Sequence, residues 1–340
     1  MALRDDRVTM AHGGGGTAMR DLIEEVFAAV FRPDGMEDQA RLTETALAEP
    51  GARLAFTTDS FVVTPLEFPG GDIGKIAVCG TVNDLAVGGA RPLWLSAAFI
   101  IEEGCEVALL RRIAASMQAE AAKAGVRIVT GDTKVVERGK GDGVFVTTAG
   151  VGVIPPGRDI GAHRIRPGDV VIVNGPLGNH GAAILAARGD LSLGVTVPSD
   201  CAGLGGLMAA VLEAAPSLAA ARDATRGGVA SALNELADAA GVGVVIEEEA
   251  LPLHPEVRGL CEILGLDPLY LANEGTLVAF VPEAEADAVL AAMRSCPEGA
   301  GATVIGKAEA ANPGRVAMRT LFGGMRIVDM LVGEQLPRIC

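Results

Sequence analysis

The stretch GDIGKIAVCGTVNDLAVGGARPLWLSAAFII, residues 71–101, sets the architecture. Residues 74–87 carry a helical pattern, Gly88 and Gly89 end it, and Pro92 confirms the break. LWLSAAFII then reads as a buried strand, an apolar run of strand length. Outward from this unit, RLAFTTDSFVV (53–63) reads as a strand. TAMRDLIEEVFAAVF is an earlier helix with Met19, Leu22, Ile23, Val26, Phe27, Val30 and Phe31 on one face. EVALLRRIAASMQAEAAKAG is a further helix, ended by Gly125. VRIVT is a strand and GDTKVVE follows directly, so Asp132 and Lys134 are expected near a strand end, where α/β sites usually sit. VFVTTAGVGVI (144–154) is another strand, and Pro155-Pro156-Gly157 marks a boundary.

The second half is again α/β. Strands are expected in DVVIVNGPLG (169–178), VGVVIEEE and the segment after Asn273-Glu274-Gly275, with short ones over 303–308, 315–320 and 325–332. Helices are expected in GNHGAAILAARG, DATRGGVASALNELADAAG, LHPEVRGLCEILG and 283–294. The chain thus divides into an N-terminal domain (1–155), a C-terminal α/β domain (156–330) and a tail (331–340). Its 340 residues suit about two domains.

Hydrophobic residues make up 49% and charged residues 21%, which is a globular rather than a disordered balance. The net charge of −15, without a Lys/Arg block, is the wrong footprint for nucleic acid and is repelled by an anionic membrane. Phosphates can still be held locally by backbone N–H groups and Mg²⁺. The cysteines Cys79, Cys105, Cys201, Cys261, Cys296 and Cys340 are scattered, with no C-x-x-C pair. That argues against structural zinc and a disulfide framework, and suits reduced thiols in a cytoplasm. MALRDDRVTM has no apolar signal region, and no apolar run reaches the ~18 residues of a membrane span.

Three features carry chemistry. Gly13, Gly14, Gly15 and Gly16 run into a helix N-terminus, which suits an anion; the plainer reading is a flexible N-terminal segment. Asp59 stands in mid-strand, where Asp is disfavoured, and Asp84 beside Asn83 stands within an apolar helix. With Asp132 they offer the hard oxygens that Mg²⁺ takes around a nucleotide, although each alone reads as a solvated carboxylate. Walker A, kinase and dinucleotide patterns are absent, so ATP would need another fold. Finally, the sequence closes on PRIC, with a thiol on Cys340 where an exposed group is a handle for covalent chemistry.

AHGGGGTAMRDLI, TTDSFVVTPLEFPGGDIGKIAVCGTVNDLAVGGARP, GDTKVVERG, DATRGGVASALNELA, LANEGTLVAFVP and PRIC occur in that order. Together they resemble the hydrogenase maturation carbamoyl dehydratase (HypE) family, of the aminoimidazole ribonucleotide synthetase (PurM-like) superfamily. The resemblance spans almost the whole chain, and PRIC is its family-specific part. It implies a two-domain PurM-like fold, a homodimer formed by pairing N-terminal sheets into a barrel, and ATP with Mg²⁺ at the cleft. It also implies that a separate carbamoyltransferase loads Cys340. ATP-dependent dehydration would then turn the thiocarbamate into a thiocyanate. Cyanide would pass to iron on a scaffold complex, for the [NiFe] hydrogenase active site.

By the same resemblance Asp59, Asp84 and Asp132 would hold Mg²⁺, and Gly13–Gly16 would cover the phosphates. Lys134 would neutralise charge on the transferred group and Glu274 would be the base. Asn83, Asp84 and Asp132 would contact ATP. Lys75 would contact it too, or face solvent. Arg226 and Asn234 are weaker candidates. Pro337 would restrict the tail, and Ile339 would pack when the tail docks. The alternatives are an aminoimidazole ribonucleotide synthetase or selenophosphate synthetase type of enzyme, or a non-enzymatic thiol carrier. A selenophosphate enzyme would want a reactive Cys near the N-terminus, whereas the first here is Cys79.

Overall fold

A computed structural model describes residues 5–34, 39–189, 197–333 and 338–340. Pro337 lies outside the described residues. The expected N-terminal helix is present but changes pitch. It runs as α1 (Thr17–Leu22), a wide π-helical stretch (Ile23–Ala28) and α2 (Ala29–Phe31).

The first domain contains β1 (Arg53–Phe61), the short pair β2 (Glu67–Phe68) and β3 (Gly71–Asp72), β4 (Arg91–Glu102), β5 (Arg127–Val136) and β6 (Val144–Ile154). Its main sheet has the order β1-β6-β4-β5, with only β4 and β5 parallel. Helices α3 (Ile73–Val87) and α4 (Val107–Ala124) cover one face. The Asp72 carboxylate caps α3, accepting from the N–H groups of Gly74 (2.7 Å) and Lys75 (3.1 Å). Every residue of α3 except Lys75 and Asp84 is buried. A helix apolar on all sides must be enclosed on all sides, and here the sheet and α4 take one side and the second domain the other. Gly74 permits the close crossing, because a Cβ there would stand 2.6 Å from the Ile113 carbonyl oxygen. The opposite sheet face is uncovered, leaving Leu54, Phe56 and Ile100 exposed.

The second domain is a seven-stranded sheet of β7 (Val170–Val173), β8 (Ala220–Asp223), β9 (Gly243–Glu247), β10 (Leu277–Val281), β11 (Thr303–Glu309), β12 (Val316–Arg319) and β13 (Met325–Ile327). The order is β13-β12-β9-β11-β7-β10-β8, and only β12 and β9 run parallel. Around it lie α5 (Asn179–Arg188), α6 (Gly205–Ala214), α7 (Gly228–Ala240), α8 (Pro255–Leu264) and α9 (Ala286–Arg294). One face packs on α7 and the other on α6 and α9, so β7 and β10 are buried throughout.

Three expectations need correction. β5 does not stop before Gly131 but continues to Val136, so Asp132 and Lys134 lie within a strand. As the sheet's edge strand with one uncovered face, β5 tolerates charge. The last strand ends at Ile327 rather than 332. α6 and β8 were not foreseen; α6 opens on two glycines, which weaken a helical pattern.

Candidate active site

The loop Asn273-Glu274-Gly275 enters β10 under close restraint. The Asp200 carboxylate accepts from the N–H groups of Glu274 (3.2 Å) and Gly275 (3.0 Å) and from Thr276 Oγ1 (2.9 Å). Asn174 Nδ2 donates to the Gly275 carbonyl (2.9 Å), and its Oδ1 accepts from Leu277 N–H (2.7 Å). Asn273 links Gly178 N–H (2.7 Å) to the Ala224 carbonyl (2.9 Å). Gly275 is obligatory at this approach, since a Cβ would stand 2.0 Å from the Asp200 carbonyl oxygen. The outcome is a fixed Glu274 that is 3% exposed and whose Oε1 has no hydrogen-bond partner among the described residues. Burial, with Asp200, Asp223 and Asp59 nearby, pushes its pKa well above the usual carboxylate range.

The end of the tail lies against this loop. Ile339 forms an antiparallel bridge with Val63, is 7% exposed and joins the first domain's core. The Arg338 carbonyl accepts from Thr64 N–H (3.2 Å) and Arg188 Nη2 (2.8 Å), and the Arg338 guanidinium pairs with Asp142 at 2.7 Å. The Ile339 carbonyl accepts from His180 Nε2. Cys340 is half-buried, with its thiol close enough to Glu274 to feel the carboxylate's charge. Burial and then the Glu274 charge push the thiol well above its ordinary value, while Arg226 opposes them.

Carboxylates crowd the adjacent wall. Asp84 accepts from Thr57 Oγ1 at 2.7 Å, and burial followed by the Asp59 charge raises its pKa. Asp223 is pushed up to about 7 by burial and by Asp84 and Asp59. Arg226 stands 3.9 Å from Asp59.

Asp132 and Lys134 form a different group. They pair with each other at 2.6 Å, and Gly13 packs against the neighbouring Val135. Asp59 lies on edge strand β1 and Asp132 on the opposite edge, β5. Three strand spacings separate them, about 14 Å. They also point apart. Thr57, two residues from Asp59, reaches Asp84 on α3, whereas Asp132 aligns with Ala98, Thr147 and Ser60 on the uncovered face. The three carboxylates expected around Mg²⁺ therefore do not meet within one chain. Among the described residues no group of three or more His, Cys, Asp or Glu is set to hold a metal ion. The donor chemistry still fits Mg²⁺ in its usual nucleotide role, where one or two carboxylates join the phosphates. A cavity of about 380 Å³ borders Asp132, with Phe27, Phe31, Leu42 and Phe99 among its lining.

Other expected residues have structural partners. Lys75 Nζ donates to the Gly70 carbonyl at 2.9 Å. The Asn83 amide donates to the Ala202 carbonyl (3.0 Å) and accepts from Leu204 N–H (2.7 Å), fastening α3 to the second domain. Asn234 donates to the Ala230 and Val328 carbonyls at 2.8 Å each. Sequence reasoning missed His180, Asp200 and Asp223 as site residues. Asp223 opens the noted DATRGG motif and His180 lies in GNHG at a helix start, but nothing near Asp200 marks it.

The description "AIR synthase related protein" fits both halves, its N-terminal domain matching residues 36–154 and its C-terminal domain residues 166–319. A carbamoyl dehydratase HypE from Rhodobacter capsulatus is 79% identical over the full length of both chains. A solved structure of hydrogenase maturation protein HypE in complex with ATP superposes with a TM-score of 0.91 at 44% identity, covering 98% of this chain and 99% of that one. A chain of a solved HypE–HypF complex gives 0.80 at 45% identity, covering 91% of this chain and 99% of that one. With both domains matched and sequence identity sustained from end to end, this chain belongs to the carbamoyl dehydratase HypE family.

Proposed function

We propose that this protein uses ATP to dehydrate a carbamoyl group carried on Cys340, producing a thiocyanate whose cyanide is destined for the iron of a [NiFe] hydrogenase. The observation that carries this reading is the docked tail, which sets the Cys340 thiol beside the buried Glu274 carboxyl. The substrate is R–S–C(=O)NH₂. Transfer of the γ-phosphoryl group to the carbonyl oxygen turns a poor leaving group into a good one. Loss of the nitrogen protons then expels phosphate, giving R–S–C≡N, ADP and phosphate. Glu274 is the base. Its unpartnered Oε1 is an acceptor available to the carbamoyl N–H, and its raised pKa makes the ionised form strongly basic. Mg²⁺, arriving with ATP and held through Asp59 and Asp84, would neutralise phosphate charge.

The uncovered sheet face, with Leu54, Phe56 and Ile100, is the homodimer surface in this reading. Pairing there would turn Asp132 and Lys134 of one copy toward the other, where Lys134 serves the transferred phosphoryl group and Gly13–Gly16 the phosphates. A carbamoyltransferase of the HypF kind loads the sulfur in the cytoplasm, and an iron-carrying scaffold receives the cyanide. Ile339 is enclosed in the docked state, so both visits require the tail to leave. The test is the intact mass of the C-terminal peptide, after loading by the carbamoyltransferase with carbamoyl phosphate and then exposure to Mg-ATP. Loss of one water from the carbamoylated peptide, dependent on ATP hydrolysis, is expected. A carbamoyl group that persists under ATP would refute the reading.

A further inference from the structure

His180 is 0% exposed and belongs to none of the expected catalytic groups. Its ring meets Phe68 edge-on, with centroids 5.4 Å apart at 82°. Nδ1 lies 2.9 Å from Ser199 Oγ, which itself accepts from Cys201 N–H at 3.1 Å. Nε2 faces the Ile339 carbonyl oxygen. A carbonyl can only accept, so Nε2 carries the hydrogen, and neutral Nδ1 accepts the Ser199 hydroxyl proton. The chain of donors runs one way, from Cys201 through Ser199 and His180 to the tail. Packing and hydrogen bonding together leave the imidazole one orientation. Burial holds its pKa below the ordinary histidine value, in keeping with the neutral ring.

The bond's position matters. Arg188 and Thr64 hold the Arg338 carbonyl, two peptide units before the sulfur-bearing side chain's own carbonyl. His180 holds the Ile339 carbonyl, whose carbon is bonded to the Cys340 nitrogen. Once that peptide plane is fixed, the sulfur's location depends on few remaining rotations. The bridge to Val63 aligns the tail and the Ile339 side chain supplies adhesion, but neither gives the Ile339 carbonyl the side-chain donor that His180 does. We propose that His180 is the positioning residue that orients the peptide joining Ile339 to Cys340, holding the thiocarbamate in line with Glu274. The inference rests on the dehydration reading above and extends it to a residue that touches neither sulfur nor nucleotide.

The experiment compares His180→Phe, which keeps the ring volume but lacks the donor, with His180→Gln, whose terminal amide can donate from the place of Nε2. Each full-length protein is loaded with carbamoyl groups by the carbamoyltransferase, mixed with Mg-ATP, and followed through one turnover by peptide mass. His180→Phe should lose dehydration rate by ~10- to 100-fold, the usual effect of an ångström-scale misplacement, with carbamoyl loading and ATP binding unchanged. His180→Gln should recover most of the rate. Ser199→Ala, which removes the group orienting the ring, should be slower than wild type and takes the place of His180→Phe if that variant does not fold. Wild-type rates in His180→Phe, or in Ser199→Ala where His180→Phe is misfolded, would overturn the inference. So would a His180→Gln that loads and binds ATP yet is as slow as His180→Phe. Failure of the wild-type protein to lose water would instead remove the dehydration reading itself.

Discussion

Replacing Ile339 with Ala tests how the tail is held. The substitution removes three carbons from a side chain that is 7% exposed. At ~0.8 kcal/mol per buried CH₂, and with a small allowance for residual exposure, docking should weaken by about 2.2 kcal/mol. Undocking leaves the rest of the fold intact, so the whole change acts on the docked-to-undocked ratio, about fortyfold. The Arg338–Asp142 pair gives a contrast, because its partners are 58% and 31% exposed. Such a pair is worth 0–1 kcal/mol, so Arg338→Ala should change the ratio by less than about fivefold, and less still in high salt. The assay is the alkylation rate of Cys340 by iodoacetamide, read by peptide mass so that half-buried Cys105 and Cys296 are scored separately. If only undocked tails react and docking is fast, the rate follows the undocked fraction. Ile339→Ala should therefore alkylate about forty times faster than wild type with an unchanged melting temperature. A rate within about twofold of wild type would refute the anchoring argument, and a larger effect from Arg338→Ala would show that charge dominates.

Gly275→Ala forces a Cβ to 2.0 Å from the Asp200 carbonyl. The variant should lose about 1–3 kcal/mol of stability together with most single-turnover dehydration; an unchanged urea midpoint would show that the loop is not tight. Asp223, pushed up to about 7, stays protonated in the fold at pH values where the unfolded chain has released its proton. Its stabilising contribution is fully present below the unfolded value and lost as pH rises through about 7. In metal-free buffer Asp223→Asn should then be more stable than wild type at pH 8, with the difference shrinking toward pH 5; no change in difference with pH would count against the shift. Phe56→Asp puts a charge among the exposed apolar side chains of the uncovered face and should yield a monomer in sedimentation where the wild type dimerises, while a dimer unaffected by it would move the interface elsewhere.

The helix α3 was legible because its signals are local: a long apolar run that is closed by two glycines and a proline. β5 was misread for a physical reason. Gly131 looks like punctuation before Asp132, yet it serves close passage, since a Cβ there would stand 2.2 Å from the Ala97 carbonyl oxygen. Glycine marks both a turn and a tight crossing, and one chain's sequence does not say which. Asp200 is harder still. Its carboxylate acquires meaning only when the fold brings residue 274 to it, and the same holds for His180 and residue 339. Cys340 and Glu274 stood out because the motifs around them are distinctive, not because spacing predicts that they meet.

The backbone grip on the tail has an energetic consequence for the sulfur's cargo. His180, Arg188 and Thr64 all hold carbonyls that precede Cys340, and Ile339 provides the buried side chain. None of these contacts touches whatever the sulfur bears. A bare thiol, a thiocarbamate and a thiocyanate would share this part of the docking free energy. The tail is then nearly isoenergetic through its errands, and the order of its visits falls to whatever each group meets at Glu274.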